Sequence, residues 1–352
     1  MREWPEPSLR HVARLTDDIG IVEHALFEDP RRELEYCTDD AGRALALATT
    51  LSSDPEAPKI ARVALAFLER AHLGAGRFRL RLGRHGRWTP DPPSDDAGGR
   101  ALLGLGTAAA HAPWDDVRSG ALALFEAAAD FSSPHPRAMA YASLGALELL
   151  AGTDVHRSAR QLVRRAADAL PASAPDSAWR WPAERLTYAN ALLPEAAMAV
   201  AAATGHDAAV VDALSLLDWL VAEESLADHF SFTPVGGRGP HDPKPAFDQQ
   251  PIEASAMTDA CARAFMITGD VRWADASERA AGWFLGANDV GVAMFDPASG
   301  GGFDGLEPAG VNENQGAESA LAFAATMAKV ASMAQGSQAA RSSAAAASRS
   351  SR

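Results

Sequence analysis

Residues 38–45 read TDDAGRAL, and residues 94–102 read SDDAGGRAL. Each stretch opens with a hydroxyl residue and two aspartates, the residue types that suit a helix N-terminus. Each then runs into Ala, Gly, Leu and Thr with few further charges. Such an echo within one chain is the mark of an array or closed ring of supersecondary units. Working outward, small-residue segments of the same kind recur from Asp39 to Thr50, Asp95 to Ala109, Arg137 to Leu150, Tyr188 to Thr204, Pro251 to Ile267 and Glu313 to Val330. SPHPRA at 133–138 opens the third in a related way. Small residues nearly all round a helix imply burial on several sides.

Between these segments lie amphipathic ones, apolar at three- and four-residue spacing with a polar back: Asp17 to Phe27, Ile60 to Leu73, Trp114 to Ala129, Val155 to Leu170, Asp207 to Glu224 and Val271 to Leu285. That spacing marks helices on an outer surface. Outer and inner types alternate six times, which predicts an all-α (α/α)6 toroid. One domain is expected over 1–333, followed by a disordered Ala/Ser/Arg-rich tail over 334–352. Turns from inner to outer segments are short: Gly152-Thr153-Asp154, Gly205-His206 and Gly269-Asp270. Connections from outer to inner are long: Gly74 to Ser94, Pro171 to Thr187, Ser225 to Gln250 and Gly286 to Asn312. In a ring of hairpins the long loops share one end, so function is expected there, at the N-termini of the inner helices.

Bulk properties narrow the ligand. The chain has 352 residues, 47% of them hydrophobic, and a formal net charge of −14. That charge argues against nucleic acid and against an anionic membrane surface. A neutral polyol is compatible with it. No apolar run approaches a membrane span, and the N-terminal MREWPEPSLRHVARL has no signal-peptide pattern; a cytoplasmic location is expected. Cys37 and Cys261 form no disulfide framework and read as reduced buried thiols. A two-Cys-plus-His zinc site on such a toroid is the competing reading, but there is no adjacent Cys-His pair. No metal and no cofactor are expected.

The residues gathered at the loop end combine aromatic rings, carboxylates and amides. Sugar ring faces stack on aromatic side chains, and hydroxyls need both donors and acceptors. Glycoside cleavage adds a requirement for two carboxyl groups, one protonated and one ionised. Asp39 and Asp95 read first as caps. A second aspartate exceeds what a cap needs, which singles out Asp40. Glu253 lies in a first helical turn, favoured there by the dipole, but beside Asp248, Gln249 and Gln250. Asp304 lies between Gly300-Gly301-Gly302 and Gly305, either a turn residue or a group brought close to a ligand. The expected catalytic set is Asp40, Glu253 and Asp304, with Asp39 and Glu313 in reserve. Expected platforms are Trp88, Trp181, Tyr188 and Phe303, although Trp181 and Trp179 also read as plugs of the barrel. Arg238, Gln250, Asn312 and Gln315 are expected to read hydroxyls, with Tyr36, Asn190 and Asp248 beside them.

Several motifs together resemble a known group. They are TDDIGIVEHALF (Thr16 to Phe27), YCTDDAGRALAL (Tyr36 to Leu47), WRWPAERLTYANALLPEA (Trp179 to Ala196), HFSFTPVGGRG (His229 to Gly239), FDQQPIEASAMTDA (Phe247 to Ala260) and GGGFDGLEPAGVNENQGAESALA (Gly300 to Ala322). The chain resembles the six-hairpin glycosidase superfamily, in particular bacterial toroids found with glycosyltransferases. The resemblance implies the toroid and a carbohydrate context. Relatives carry a Glu directly after the Pro or Phe of the Trp-rich motif; here Ala183 stands there, with Glu184 next. Two functions follow as expectations: a glycoside hydrolase acting on an oligosaccharide or polysaccharide, or a non-catalytic glycan-binding module beside a glycosyltransferase. Sugar epimerases of this fold use paired His, and the loop end is poor in His.

Overall fold

The computed structural model describes residues 3–151, 155–171 and 178–350, with side chains described as far as residue 334. The Gly152-Thr153-Asp154 turn and part of the loop after Pro171 lie outside the described residues, as do the side chains of most of the 334–352 segment. The inner ring consists of α2 (Thr38–Thr50), α4 (Asp95–His111), α6 (Pro136–Leu150), α8 (Leu192–Thr204), α10 (Pro251–Thr268) and α12 (Ala317–Ser350). Around it run α1 (Arg10–Leu15), α3 (Ala57–Ala71), α5 (Asp115–Ala128), α7 (Arg157–Ala169), α9 (Asp207–Glu223) and α11 (Val271–Gly282). Each inner helix packs on its two inner neighbours, and α12 closes the ring against α2. This is the (α/α)6 toroid that the alternation predicts.

The echo has a packing cause. A β-carbon at Gly106 would lie 2.0 Å from the Gly145 carbonyl oxygen, and one at Gly42 would lie 2.5 Å from that of Arg100. The α2, α4 and α6 backbones therefore touch directly, and only glycine permits it. Ser94 caps α4 by accepting from the Ala97 N–H at 3.2 Å. Asp39 and Asp95 are first-turn residues rather than caps.

One expected outer helix is different. Asp17 to Phe27 is not helical; the first outer helix is the six-residue α1 just before it. The Asp17 carboxylate accepts from the N–H groups of Ile19 and Gly20, at 2.8 and 3.2 Å, which turns the chain. Val22 then bridges to Tyr36, and β1 (Ala25–Leu26) pairs with β2 (Asp29–Pro30). Ile21 and Val22 are both buried, so extended chain produced the apolar spacing. Two inner helices also start later than expected, at Leu192 rather than Tyr188 and at Ala317 rather than Glu313.

The long outer-to-inner connections carry the small sheets: β1–β2, β3 (Glu35–Cys37) with β4 (Arg81–Gly83), β5 (Ser225–Leu226) with β6 (His229–Phe230), and β7 (Gly305–Glu307) with β8 (Gly310–Asn312). They frame one mouth, at the N-terminal ends of the inner helices. Among the described residues no helix is long and apolar enough to cross a membrane.

Candidate functional site

Two arginines organise the mouth, Arg100 buried and Arg43 half-buried. Arg43 follows Asp40 by one turn on α2, and Arg100 follows Asp96 by one turn on α4. Arg43 donates to Asp40 at 2.8 Å and, across the ring closure, to Glu318 of α12 at 2.5 Å. Arg100 donates to Asp39 at 2.8 Å and lies 3.7 Å from Asp96. Its guanidinium stacks 4.7 Å from the Tyr141 ring and 5.9 Å from the Tyr188 ring. The Tyr188 hydroxyl donates to Asp96, and Arg137 covers the other part of the same ring at 4.8 Å. Four inner helices and one loop thus converge through a continuous acid–arginine–tyrosine network.

These surroundings tune the carboxyls in opposite directions. Burial pushes the Asp40 carboxyl up to about 7, although Arg43 pulls the other way. Burial also raises Asp304, partly offset by hydrogen bonds from Ser319 and the Gly316 N–H, the latter at 2.8 Å. Glu318 is the opposite case: burial opposes its charge, but Arg43 and Arg100 more than offset this and hold it below the usual range. Arg100 keeps its charge against burial because Tyr141, Asp39, Glu318 and Asp96 surround it. Asp304 and Glu318 both remain partly exposed to the mouth.

The other expected residues divide by accessibility. Asp248 sits beside Asp304 with Oδ1 buried and without a partner among the described residues, facing the α-carbon of Gly305. Its carboxyl is raised by burial and by Glu307 and Asp304. Gln250 at the start of α10, Phe303 and Asn312 are partly exposed, and Glu313 is exposed. Trp88 packs edge-on to Phe67 at 5.4 Å.

Glu253 lies beneath the mouth, not in it. It is 3% exposed, and both oxygens are occupied: the Ala189 N–H donates to one, the Asn190 N–H and side-chain amide to the other at 3.2 and 3.1 Å. Burial and Glu224 push it up to about 8, against those donors. It holds the left-handed Ala189 turn that presents Tyr188. Asn190 is likewise buried, accepting from Arg137 at 3.1 Å. Tyr36 is buried and donates to Asp17 at 2.8 Å; Trp181 is buried and stacks on Trp219 at 6.4 Å. Arg238 is buried and donates to the carbonyls of Ser231 and Glu223 at 3.3 and 3.2 Å. Gln315 is buried and accepts from Ser299 at 2.5 Å. Tyr36, Asn190, Arg238 and Gln315 hold loops in place through these bonds, and Trp181 packs into the core.

Arg43, Arg100, Arg137 and Tyr141 are the residues that sequence reasoning left out of the expected site; Glu318 falls at the loop end it expects, but without an assigned role. A signal existed for the first two: a lone arginine one turn beyond each aspartate pair, in helices otherwise made of small residues. Cys37 and Cys261 are both free and buried, with thiols raised first of all by desolvation.

No protein-family model and no curated protein matches the sequence. Solved structures match by shape. The chain superposes on a cellobiose 2-epimerase from Bacillus thermoamylovorans with a TM-score of 0.70 at 11% identity, covering 92% of this chain and 95% of that one. A sugar epimerase from a ruminal bacterium gives 0.69 at 10% identity, covering 91% and 94%. A GH76 α-mannanase of Bacteroides thetaiotaomicron gives 0.62 at 12% identity, covering 93% and 94%. With them the chain shares the six-hairpin (α/α)6 toroid fold.

Proposed function

We propose that the protein binds a saccharide at the mouth and hydrolyses a glycosidic bond there, with Asp304 as proton donor and Glu318 as ionised partner. The observation that carries this reading is the pair itself: two partly exposed carboxyls on one loop–helix unit, one raised by burial and one lowered by Arg43 and Arg100. Opposite tuning of two neighbouring carboxyls is what acid and base roles require. The similarity to sugar epimerases and to a mannanase supports a saccharide ligand. A carboxyl pair, rather than paired imidazoles, favours hydrolysis over epimerisation. Tyr188 supplies a ring face, and Asp96, Asp39 and Arg137 supply acceptors and donors for hydroxyls.

Asp40 acts through Arg43 on Glu318 rather than on the sugar, since it is 2% exposed. A glycan-library screen with product analysis, followed by Asp304→Asn and Glu318→Gln on the hit, tests the assignment. Each variant is expected to lose about 10²–10⁴-fold in kcat. Wild-type turnover in both would overturn it. A second reading is favoured by the pairing already present in the network, in which Arg100 holds Asp39 and Arg43 holds Asp40 and Glu318: a glycan receptor without turnover, working beside a glycosyltransferase. It predicts a bound hit with no product.

A further inference from the structure

Two of the small hairpins at the mouth are built alike. ALFEDP at 25–30 pairs Ala25 with Pro30 and Leu26 with Asp29; SLADHF at 225–230 pairs Ser225 with Phe230 and Leu226 with His229. Each turns through two residues, Phe27–Glu28 in the first and Ala227–Asp228 in the second. In both, the first turn residue has a left-handed backbone, with φ of 51° at Phe27 and 54° at Ala227. That is a place where such tight turns favour glycine. Alanine carries a small β-carbon there, whereas a bulky aromatic side chain is an outlier.

The ring at position 27 gives the fold little in return. Phe27 is 55% exposed and Leu26 beside it 56%. Neither belongs to the hydrophobic core, and among the described residues the Phe27 ring makes no aromatic or cation–π contact. Its backbone, by contrast, is pinned from the last loop of the mouth. The Phe27 N–H donates to Asn314 Oδ1 at 3.0 Å, and its carbonyl accepts from the Gln315 N–H at 3.0 Å. The Asn314 carbonyl in turn accepts from the Asp304 N–H at 2.8 Å. One loop residue thus ties an exposed aromatic to the backbone of the proposed proton donor. His24, three positions before the ring, and Glu313, next to Asn314, are exposed as well.

We infer that Phe27 is a stacking platform for a further sugar unit of the saccharide held at the mouth, so that the ligand is a chain and not a single sugar. The inference rests on the saccharide site proposed above. An apolar ring at a wet rim suits the apolar face of a pyranose, whose hydroxyls then meet water and polar neighbours such as His24 and Glu313. A partner protein would need a far wider patch than one hairpin tip. Strain tolerated at an exposed position fits a ligand contact, since packing gains nothing from it. The tie through Asn314 keeps the platform in fixed relation to Asp304, as positioning a chain across a reacting bond requires.

Titration calorimetry of the full chain with gluco-, manno- and xylo-oligosaccharides, from the single sugar to the hexamer, tests it. In a series that binds, affinity should rise about tenfold from the single sugar to the longer chains. Phe27→Gly should abolish that rise and leave the single sugar within about twofold, without lowering the denaturation midpoint, because glycine suits the left-handed turn. Phe27→Trp should keep the rise. Ala227→Gly, the same change in the twin hairpin, should leave every affinity within about twofold. A length dependence that survives Phe27→Gly overturns the platform while the mouth assignment stands, since Asp304→Asn and Glu318→Gln test that separately. A lowered midpoint in Phe27→Gly would make the ring a structural element and overturn it too. Binding of no series, or equal affinity at every length, overturns it as well.

Discussion

Asp40→Asn should make the protein more stable at alkaline pH while impairing the mouth. In the folded chain this carboxyl is pushed up from 3.8 to about 7, first by burial, with Glu23, Glu318 and Asp39 adding to it. A group whose folded pKa is raised favours the folded state when protonated. That stability is fully present below the unfolded value and is lost as pH rises through the folded value. Between pH 5 and pH 7 the wild type therefore loses about 1.4 kcal/mol per pH unit from this one group, and above pH 7 the loss levels off. Asn carries no such charge. The stability difference between variant and wild type should thus move by about 3 kcal/mol in favour of Asn from pH 5 to pH 8. Asp40 is 2% exposed, so solvent screening takes little from this figure. Urea denaturation of both proteins at pH 5, 6, 7 and 8 measures it. A difference that stays flat across that range would refute the tuning of Asp40, and with it the idea that Arg43 is shared between an acid held neutral and an acid held ionised.

Two further outcomes are expected. Gly106→Ala sets a β-carbon 2.0 Å from the Gly145 carbonyl oxygen, so α4 and α6 must separate; a loss of about 1–3 kcal/mol in denaturant unfolding is expected, and an unchanged midpoint would show that the ring is looser than drawn. Glu253→Gln turns an amide N–H₂ toward N–H donors of Ala189 or Asn190, which should cost about 1–3 kcal/mol and release hydrogen-exchange protection at those two amides. Retained protection there would mean that the turn under Tyr188 stands without its anchor.

What the sequence disclosed followed from local requirements. Inner helices need small residues wherever backbones touch, so Gly42 and the echo around Gly98-Gly99 announced the ring. Loop asymmetry announced the mouth. Asp39, Asp40 and Asp304 were legible because two acids exceed a cap and because glycines bracket the third. Asp17 to Phe27 misled because a bent, bridged strand can bury Ile21 and Val22 with spacing that imitates a helix. Glu253 misled for a different reason: an acid beside amides at a helix start looks the same whether it meets a ligand or a backbone turn from a loop 63 positions away. Arg43 and Glu318 were the hardest to pair, since nothing local connects them.

That last pairing bears on how the protein comes into being. Arg43 and Glu318 are separated by 275 positions, and their contact exists only once α12 has docked on α2. Bringing together segments so distant carries a loop-closure entropy of about 5 kcal/mol in a flexible chain, which earlier docking of α4, α6, α8 and α10 must reduce step by step. During synthesis the first hairpins leave the ribosome with the Asp40 flank of α2 uncovered and the carboxyl pair incomplete. The mouth is therefore completed last: a nascent chain is a curved stack of hairpins, and the contact between Arg43 and Glu318 forms only when the final inner helix shuts the circle.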